Sequence, residues 1–291
     1  MSAPIGIAGA GRMGQALGRL LRERGEPVCA VGSRSVDNAG VAARFVGGGA
    51  QATSYGQLPR LALNILIAVP DDAIGDVAGT LAASGMRSGA ALHTSGARGG
   101  EVLAPLAAAG VACGTLHPLQ TVANPAEGVA VLPGSAYAVD GEGAARAWAE
   151  QIVGLLDGQI LHILAESRAL YHAAAVMSSN YLISLIATAV MLMKEAGVAE
   201  DAALGALVPL ARTSVRNACE LGPVAALTGP IVRGDLGTVR EHLAALAAMP
   251  AAASLYRRAG LATLDIARLR GLGEGPARSI EKLLREGEES A

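Results

Sequence analysis

Aromatic side chains make up only 2% of this 291-residue sequence. The 52% hydrophobic content and mean hydropathy of +0.40 therefore come mainly from alanine, not from bulky side chains of the kind that face lipid. Charge is also scarce, at 16% of residues with a net charge of −2, which excludes an acidic disordered chain and a basic nucleic-acid-binding surface. Lysine occurs only at 194 and 282, so arginine carries nearly all the positive charge, and this reads as a compositional bias. The three cysteines, Cys29, Cys113 and Cys219, are odd in number and far apart. That spacing excludes a disulfide framework or a clustered zinc site and fits a reducing cytoplasm; no metal site is expected. No basic stretch precedes an apolar run at the start, so no secretory signal is expected. No repeat at a fixed period is apparent.

What is present is alternation. Apolar runs at 5–8, 27–31, 63–69, 90–94, 111–116, 137–139 and 159–163 are separated by helical stretches, among them 12–24, 38–46, 101–109 and 144–156, and a polar loop at 51–57. Continuous apolar strands alternating with helices predict a mostly parallel, doubly wound sheet covered on both faces. From Glu166 onward the pattern becomes long helices, at about 166–196, 201–220, 235–248, 252–270 and 277–287. An α/β Rossmann-type domain over 1–164 and an all-α domain over 165–291 are expected, a division in keeping with the chain's length. The Arg/Glu-rich end from Arg268 to Glu289 reads as a solvated helical face.

One segment competes with that reading. Residues 173–193 carry no formal charge and are long enough to span a bilayer. They also contain Ser178, Ser179, Asn180, Ser184 and Thr188, and on a continuous helix His172, Ser179 and Asn180 share a broad face. A buried central helix with a polar seam is expected, without a membrane.

Gly9-Ala10-Gly11-Arg12-Met13-Gly14 stands between the first predicted strand and the first predicted helix. In that context the first glycine permits a tight turn, the second lets a pyrophosphate approach the backbone and the third lets the helix pack on the strand. The helix N-terminus then receives the anion. The second strand runs into Gly32-Ser33-Arg34-Ser35, where an NAD-binding protein usually has an acid for the ribose 2′-hydroxyl. Ser33 and Arg34 suit a 2′-phosphate instead, which favours NADP(H). Further polar breaks close later strands: Pro70-Asp71-Asp72, His93-Thr94-Ser95-Gly96 and His117-Pro118. Ligands of open α/β sheets bind outside the strand C-termini, so these breaks point at one crevice, with Val69 and Pro70 flanking a nicotinamide and Ser95 and His117 reaching a reacting oxygen. His162, inside a predicted strand, reads as structural.

These residues, with YHAAAVMSSNYL at 171–182 and LTGPIVRGD at 227–235, resemble a family over nearly the whole chain. It comprises NADP-binding Rossmann-like proteins with a helical C-terminal domain of unknown function, related to β-hydroxyacid dehydrogenases, ketopantoate reductases, pyrroline-5-carboxylate reductases and prephenate dehydrogenases. In prephenate and arogenate dehydrogenases a serine after one strand and a His-Pro histidine after the next act on the substrate hydroxyl, and Ser95 and His117 match that pattern. β-Hydroxyacid dehydrogenases carry Lys-x-x-x-Asn on the first helix of the second domain; Asn180 matches the asparagine, while Val176 stands where the lysine is expected. The resemblance implies an NADP(H)-dependent oxidoreductase, cytoplasmic and homodimeric, that reduces a small 2-oxo acid such as ketopantoate. His117, held by Ser95, is expected to supply the proton, with His172 the other candidate, while Asn180 orients the carbonyl and Arg233 holds the carboxylate of a small-molecule substrate. A non-catalytic NADP-binding sensor or a prephenate/arogenate-type dehydrogenase are the alternatives.

Overall fold

The computed structural model describes residues 2–286. The chain divides into two compact units, 1–179 and 180–291.

The first unit is built on an eight-stranded sheet: β1 (Ile5–Ala8), β2 (Val28–Gly32), β3 (Gln51–Thr53), β4 (Asn64–Ile67), β5 (Ala90–His93), β6 (Ala112–Pro118), β7 (Ala136–Gly141) and β8 (Gln159–Leu161). Their order is β3-β2-β1-β4-β5-β6-β7-β8, and every pairing is parallel except β6 with β7. The helices of this unit are α1 (Arg12–Glu23), α2 (Val36–Val46), α3 (Ile74–Ala83), α4 (Ala104–Ala108), α5 (Pro125–Val131), α6 (Gly143–Leu155) and α7 (Arg168–Ser178). β1 and β5 are buried at every position, as strands covered on both faces must be. Ile7, Leu66, Leu92 and Leu116 face one cluster with α1, α2 and α6. Ala30, Ile65, Ile67 and Ala91 face the other with α3 and α4. This is the doubly wound sheet that the alternation implied. The stretch read as a polar loop contains β3, a short edge strand, and His162 lies exposed just beyond β8 instead of within it.

The second unit is helical: α8 (Asn180–Glu195), α9 (Glu200–Leu221), α10 (Pro223–Ala226), α11 (Leu236–Ala245), α12 (Pro250–Leu269) and α13 (Glu274–Arg285). Val239 and Leu243 of α11, Leu264 and Ala267 of α12, and Ala277, Ile280 and Leu284 of α13 form its core with Ile231. Asp235 starts α11 by accepting a hydrogen bond from the Thr238 N–H (3.0 Å), the arrangement of an N-cap. Glu281 receives both Arg268 (2.6 Å) and Arg285 (3.0 Å), so the Arg/Glu-rich end is a salt-bridged helical face as far as residue 286. The rest of that face, to Glu289, lies outside the described residues.

Two expectations are corrected. The long helix at 166–196 is interrupted at Ser179 (φ −122°, ψ −72°), so one helical phase does not run from His172 to Asn180. α7 groups with the sheet and α8 with the second unit, which moves the division from 164/165 to 179/180. The expected buried central helix is not buried within its own chain: α8 has no buried residue, and Ile183 is 65% exposed. Residues 165–195 are long and apolar enough to cross a membrane, and none of their most apolar window is buried within the chain. Three hydroxyls of the polar seam turn back onto helical carbonyls. Ser179, Ser184 and Thr188 donate to the carbonyls of Ala175, Asn180 and Ser184, each four residues back, at 3.0, 3.3 and 3.0 Å, a common arrangement of helical hydroxyls.

Candidate functional site

Two clusters lie at the strand C-termini of the first unit. The first is the glycine turn after β1. Gly9 has φ +132°, and a Cβ there would collide with the Ala68 carbonyl. At Gly14 a Cβ would collide with the Gly9 carbonyl and crowd Ile7 and Ala68, so this glycine sets the approach of α1 to the sheet. At Gly11 the nearest heavy atom is 4.0 Å away, which leaves that side of the turn open. No side chain caps α1, and no acid sits in its first turn, so its leading N–H groups remain available to an anion. Gln15 Nε2 steadies the turn by donating to the Ala10 carbonyl (2.8 Å), and Arg12 donates to the Ala123 carbonyl (3.1 Å). Met13 packs against the core, so its contribution to a ligand would be through the backbone.

Beyond β2, Ser33 is half-buried and Arg34 exposed. Tyr55 is a member of this corner that the sequence reading missed: burial pushes its phenol upward, against the opposing influence of the Arg34 charge and Ser33. Val69 and Pro70 follow β4, the strand beside β1, with Val69 packed on the core.

The second cluster sits on β5, β6, β7 and α7. Register places His93 beside Thr115 and Thr115 beside Asp140, and strand alternation puts His117 on the same face as Thr115. His93 is wholly buried. The Ser95 N–H donates to its Nδ1 (3.2 Å), so its Nε2–H donates to the Gly99 carbonyl (2.9 Å). Burial pushes this imidazole below its ordinary range, the Gly99 bond opposing. Ser95 does not hold His117: its Oγ accepts the Ala97 and Arg98 N–H groups (3.2 and 3.1 Å) and thereby shapes the loop. The partner of His117 Nδ1 is the Tyr171 hydroxyl at 2.7 Å, with the rings edge to face. His172 is also near, its ring centroid 6.2 Å from that of His117. Gly96 separates the two histidines. A Cβ there would fall 2.7 Å from His117 Nε2 and 2.8 Å from His172 Nδ1.

Arg168, 5% exposed, donates through Nη2 to Asp140 (2.8 Å), leaving Nε and Nη1 without partners. Of the five buried side-chain nitrogen and oxygen atoms without partners among the described residues, four belong to Thr115, Arg168 and His172. Buried polar groups are nearly always satisfied, so this concentration marks the cluster as a place for water or a ligand. His117 is pushed down to about 4, first by burial and then by His172, with Asp71 opposing and Arg168 and His93 adding to the depression. It is a neutral imidazole at neutral pH.

The structure therefore brings His117, His172 and the Ser95 loop together, and adds Tyr171 and Arg168. Asn180 and Arg233 belong to the second unit, where Asn180 opens α8 and Arg233 is an exposed loop residue 3.9 Å from Asp235.

Comparison with known proteins bears on the architecture. A Rossmann-like domain matches residues 2–118, and the domain of unknown function DUF2520 matches residues 135–263. No curated protein matches. Among solved structures, a Bacteroides fragilis protein described as an NADP oxidoreductase is similar at 23% identity and TM-score 0.72, over 97% of this chain and 98% of the other. A Thermotoga maritima protein is similar at 19% identity and 0.75, over 91% and 99%. A reductive aminase from Aspergillus terreus, solved with NADPH and ethyl-5-oxohexanoate, is similar at 18% identity and 0.57, over 98% and 93%. At such identities the likeness is one of fold. The chain thus matches a Rossmann-like domain followed by the domain of unknown function DUF2520, the succession that its motifs resemble.

Proposed function

We propose that this protein is an NADP(H)-dependent oxidoreductase that reduces the carbonyl of a small 2-oxo acid, with ketopantoate the first substrate to try. The observation that carries the proposal is the placement, at the strand C-termini of a single sheet, of an open glycine turn and of the neutral His117 imidazole among buried polar atoms of Thr115, Arg168 and His172 that have no partner among the described residues. The residues present fit a dinucleotide. Gly9 and Gly14 build the turn, the open side of Gly11 admits a pyrophosphate, and Ala10, Arg12 and Met13 contribute the backbone around it. Ser33 and Arg34 supply a hydroxyl and a cation for a 2′-phosphate, and Val69 and Pro70 flank the nicotinamide. NADPH, when bound, supplies hydride.

In this reading His117 gives a proton from Nε2 to the carbonyl oxygen, Ser95 and Gly96 fix the loop against it, and His172 lines the site. A neutral imidazole can polarise a carbonyl in this way. Asn180 is proposed to orient the carbonyl and Arg233 to hold the carboxylate, so Asn180→Ala and Arg233→Ala should raise KM for the acid while NADPH affinity stays constant. Two experiments test the whole. Replacing Ser33 and Arg34 by alanine should weaken NADPH binding relative to NADH, and equal loss for both cofactors would refute the 2′-phosphate assignment. A screen of NADPH oxidation against 2-oxo acids, semialdehydes and cyclic imines should find turnover that His117→Ala lowers about 10²-fold or more. NADPH binding without turnover would instead select a cofactor sensor, the reading favoured by Val176 on α7 in place of a lysine.

We also propose a homodimer that covers the exposed apolar side chains of α8 and α9, among them Tyr181, Ile183, Leu204 and Leu210. Large contiguous apolar surfaces rarely stay uncovered in water.

A further inference from the structure

Tyr171 is left unused by the reading above, yet it makes the closest contact in the site, 2.7 Å from His117 Nδ1. It sits on α7 between Arg168 and His172, so one helical turn brings a guanidinium, a phenol and an imidazole to the histidine of β6. The groups facing His117 are His93 from β5, Asp71 after β4, and Arg168, Tyr171 and His172 from α7. Only the Asp71 charge favours an imidazolium, and burial, His172, Arg168 and His93 all oppose it. A neutral imidazole carries one proton. If that proton is on Nε2, facing Gly96, then Nδ1 is an acceptor and Tyr171 is its donor. Arg168, with two N–H-bearing nitrogens unpaired, is placed to favour the ionised phenol.

We propose that Tyr171 is the proton source of this site and that His117 relays its proton as a neutral imidazole; the proposal rests on the carbonyl-reduction reading. As the substrate oxygen becomes an alkoxide it takes the proton from His117 Nε2. That N–H bond breaks as the new O–H bond forms. The Tyr171 O–H bond breaks in turn as an N–H bond forms at Nδ1. The imidazole ends neutral with its proton on the other nitrogen, and the negative charge ends on the Tyr171 oxygen near Arg168. Between turnovers the phenolate takes the Nδ1 proton back, and a water donates a proton to Nε2 and leaves as hydroxide, which restores the starting tautomer.

Tyr171→Phe removes the hydroxyl and keeps the ring. The expected result is a fall in kcat of about 10²-fold, with KM and the NADPH Kd changed less than about twofold because the hydroxyl acts on the proton transfer and not on uniform binding. In mixtures of light and heavy water the wild-type kcat should depend on deuterium fraction along a curve, since two protons move, and in Tyr171→Phe along a line. The wild-type kcat should also stay level from about pH 6 to about pH 9, because the buried phenol ionises above its ordinary range. An imidazolium donor would lose tenfold per pH unit there. Unchanged kcat in Tyr171→Phe, or that tenfold decline, overturns the relay. A second measurement needs no turnover: nitrogen-15 NMR of the histidine side chains at pH 7 should show His117 neutral with its proton on Nε2. A proton on Nδ1, or an imidazolium, overturns the relay. The expected tautomer without turnover of any carbonyl substrate overturns the reduction reading and leaves the Tyr171–His117 pair standing.

Discussion

Single residues decide the chemistry of the β5–β6 cluster, and Gly96 is the sharpest case. A methyl there meets both His117 and His172, so Gly96→Ala should displace the imidazoles and lower kcat by about 10-fold or more, since small misplacements of reacting groups are costly. NADPH affinity, measured by fluorescence titration, should be unchanged because the glycine turn lies elsewhere on the sheet. His117 also leaves a mark on stability. Its folded value of about 4 lies below the ordinary 6.5, so between those values the unfolded chain takes up a proton that the folded chain refuses. Stability therefore rises with pH across that window, is complete above it, and is lost as pH falls through about 4. The thermal midpoint should drop from pH 6.5 toward pH 4, and His117→Gln should flatten part of the drop; His93, depressed in the same direction, accounts for some of the remainder. Ser95 and His117 were legible in the sequence because each ends an apolar run. Tyr171 and Arg168 were not, because their partners His117 and Asp140 lie 54 and 28 residues away and only the return of α7 across the sheet brings them together.

At the scale of elements, β1, the glycine turn and α1 form a unit in which three glycines do separable work. Gly14→Ala puts a methyl against the Gly9 carbonyl and must push α1 off the strand, at a cost of about 1–3 kcal/mol, typical of overpacking. Gly11→Ala meets nothing nearer than 4.0 Å, so it should leave the melting temperature within a degree or two while still weakening NADPH binding. A melting scan and a binding titration on both variants separate the roles, and an equal loss of stability in the two would contradict them. Most elements could be read from apolar periodicity, because strands buried on both faces announce themselves as short continuous runs. The failures have physical reasons. β3 is three residues long with two exposed positions, so it carries no apolar signature. The break at Ser179 is hidden because the apolar composition runs on through it, and a change of φ and ψ at a serine leaves no compositional trace. The same break explains why the division at 164/165 did not hold: helical periodicity begins soon after β8, but the first helix stays with the sheet.

For the whole molecule, α8 and α9 leave bulky apolar side chains exposed, among them Ile183, Leu185, Met191, Leu204 and Leu210. The homodimer proposal predicts a dimer in sedimentation velocity at micromolar concentration. Ile183→Glu on α8 should shift it toward monomer with little change in the far-ultraviolet circular dichroism, since this side chain is 65% exposed within the chain. A wild-type monomer that floats with lipid vesicles would assign the face to a membrane instead. The hydroxyls of Ser184 and Thr188 are turned back onto their own helix, and this limits what any covering surface must provide. At these two positions it needs no matching polar group, so there the interface can drift among aliphatic side chains during evolution, constrained by volume and contour more than by residue identity.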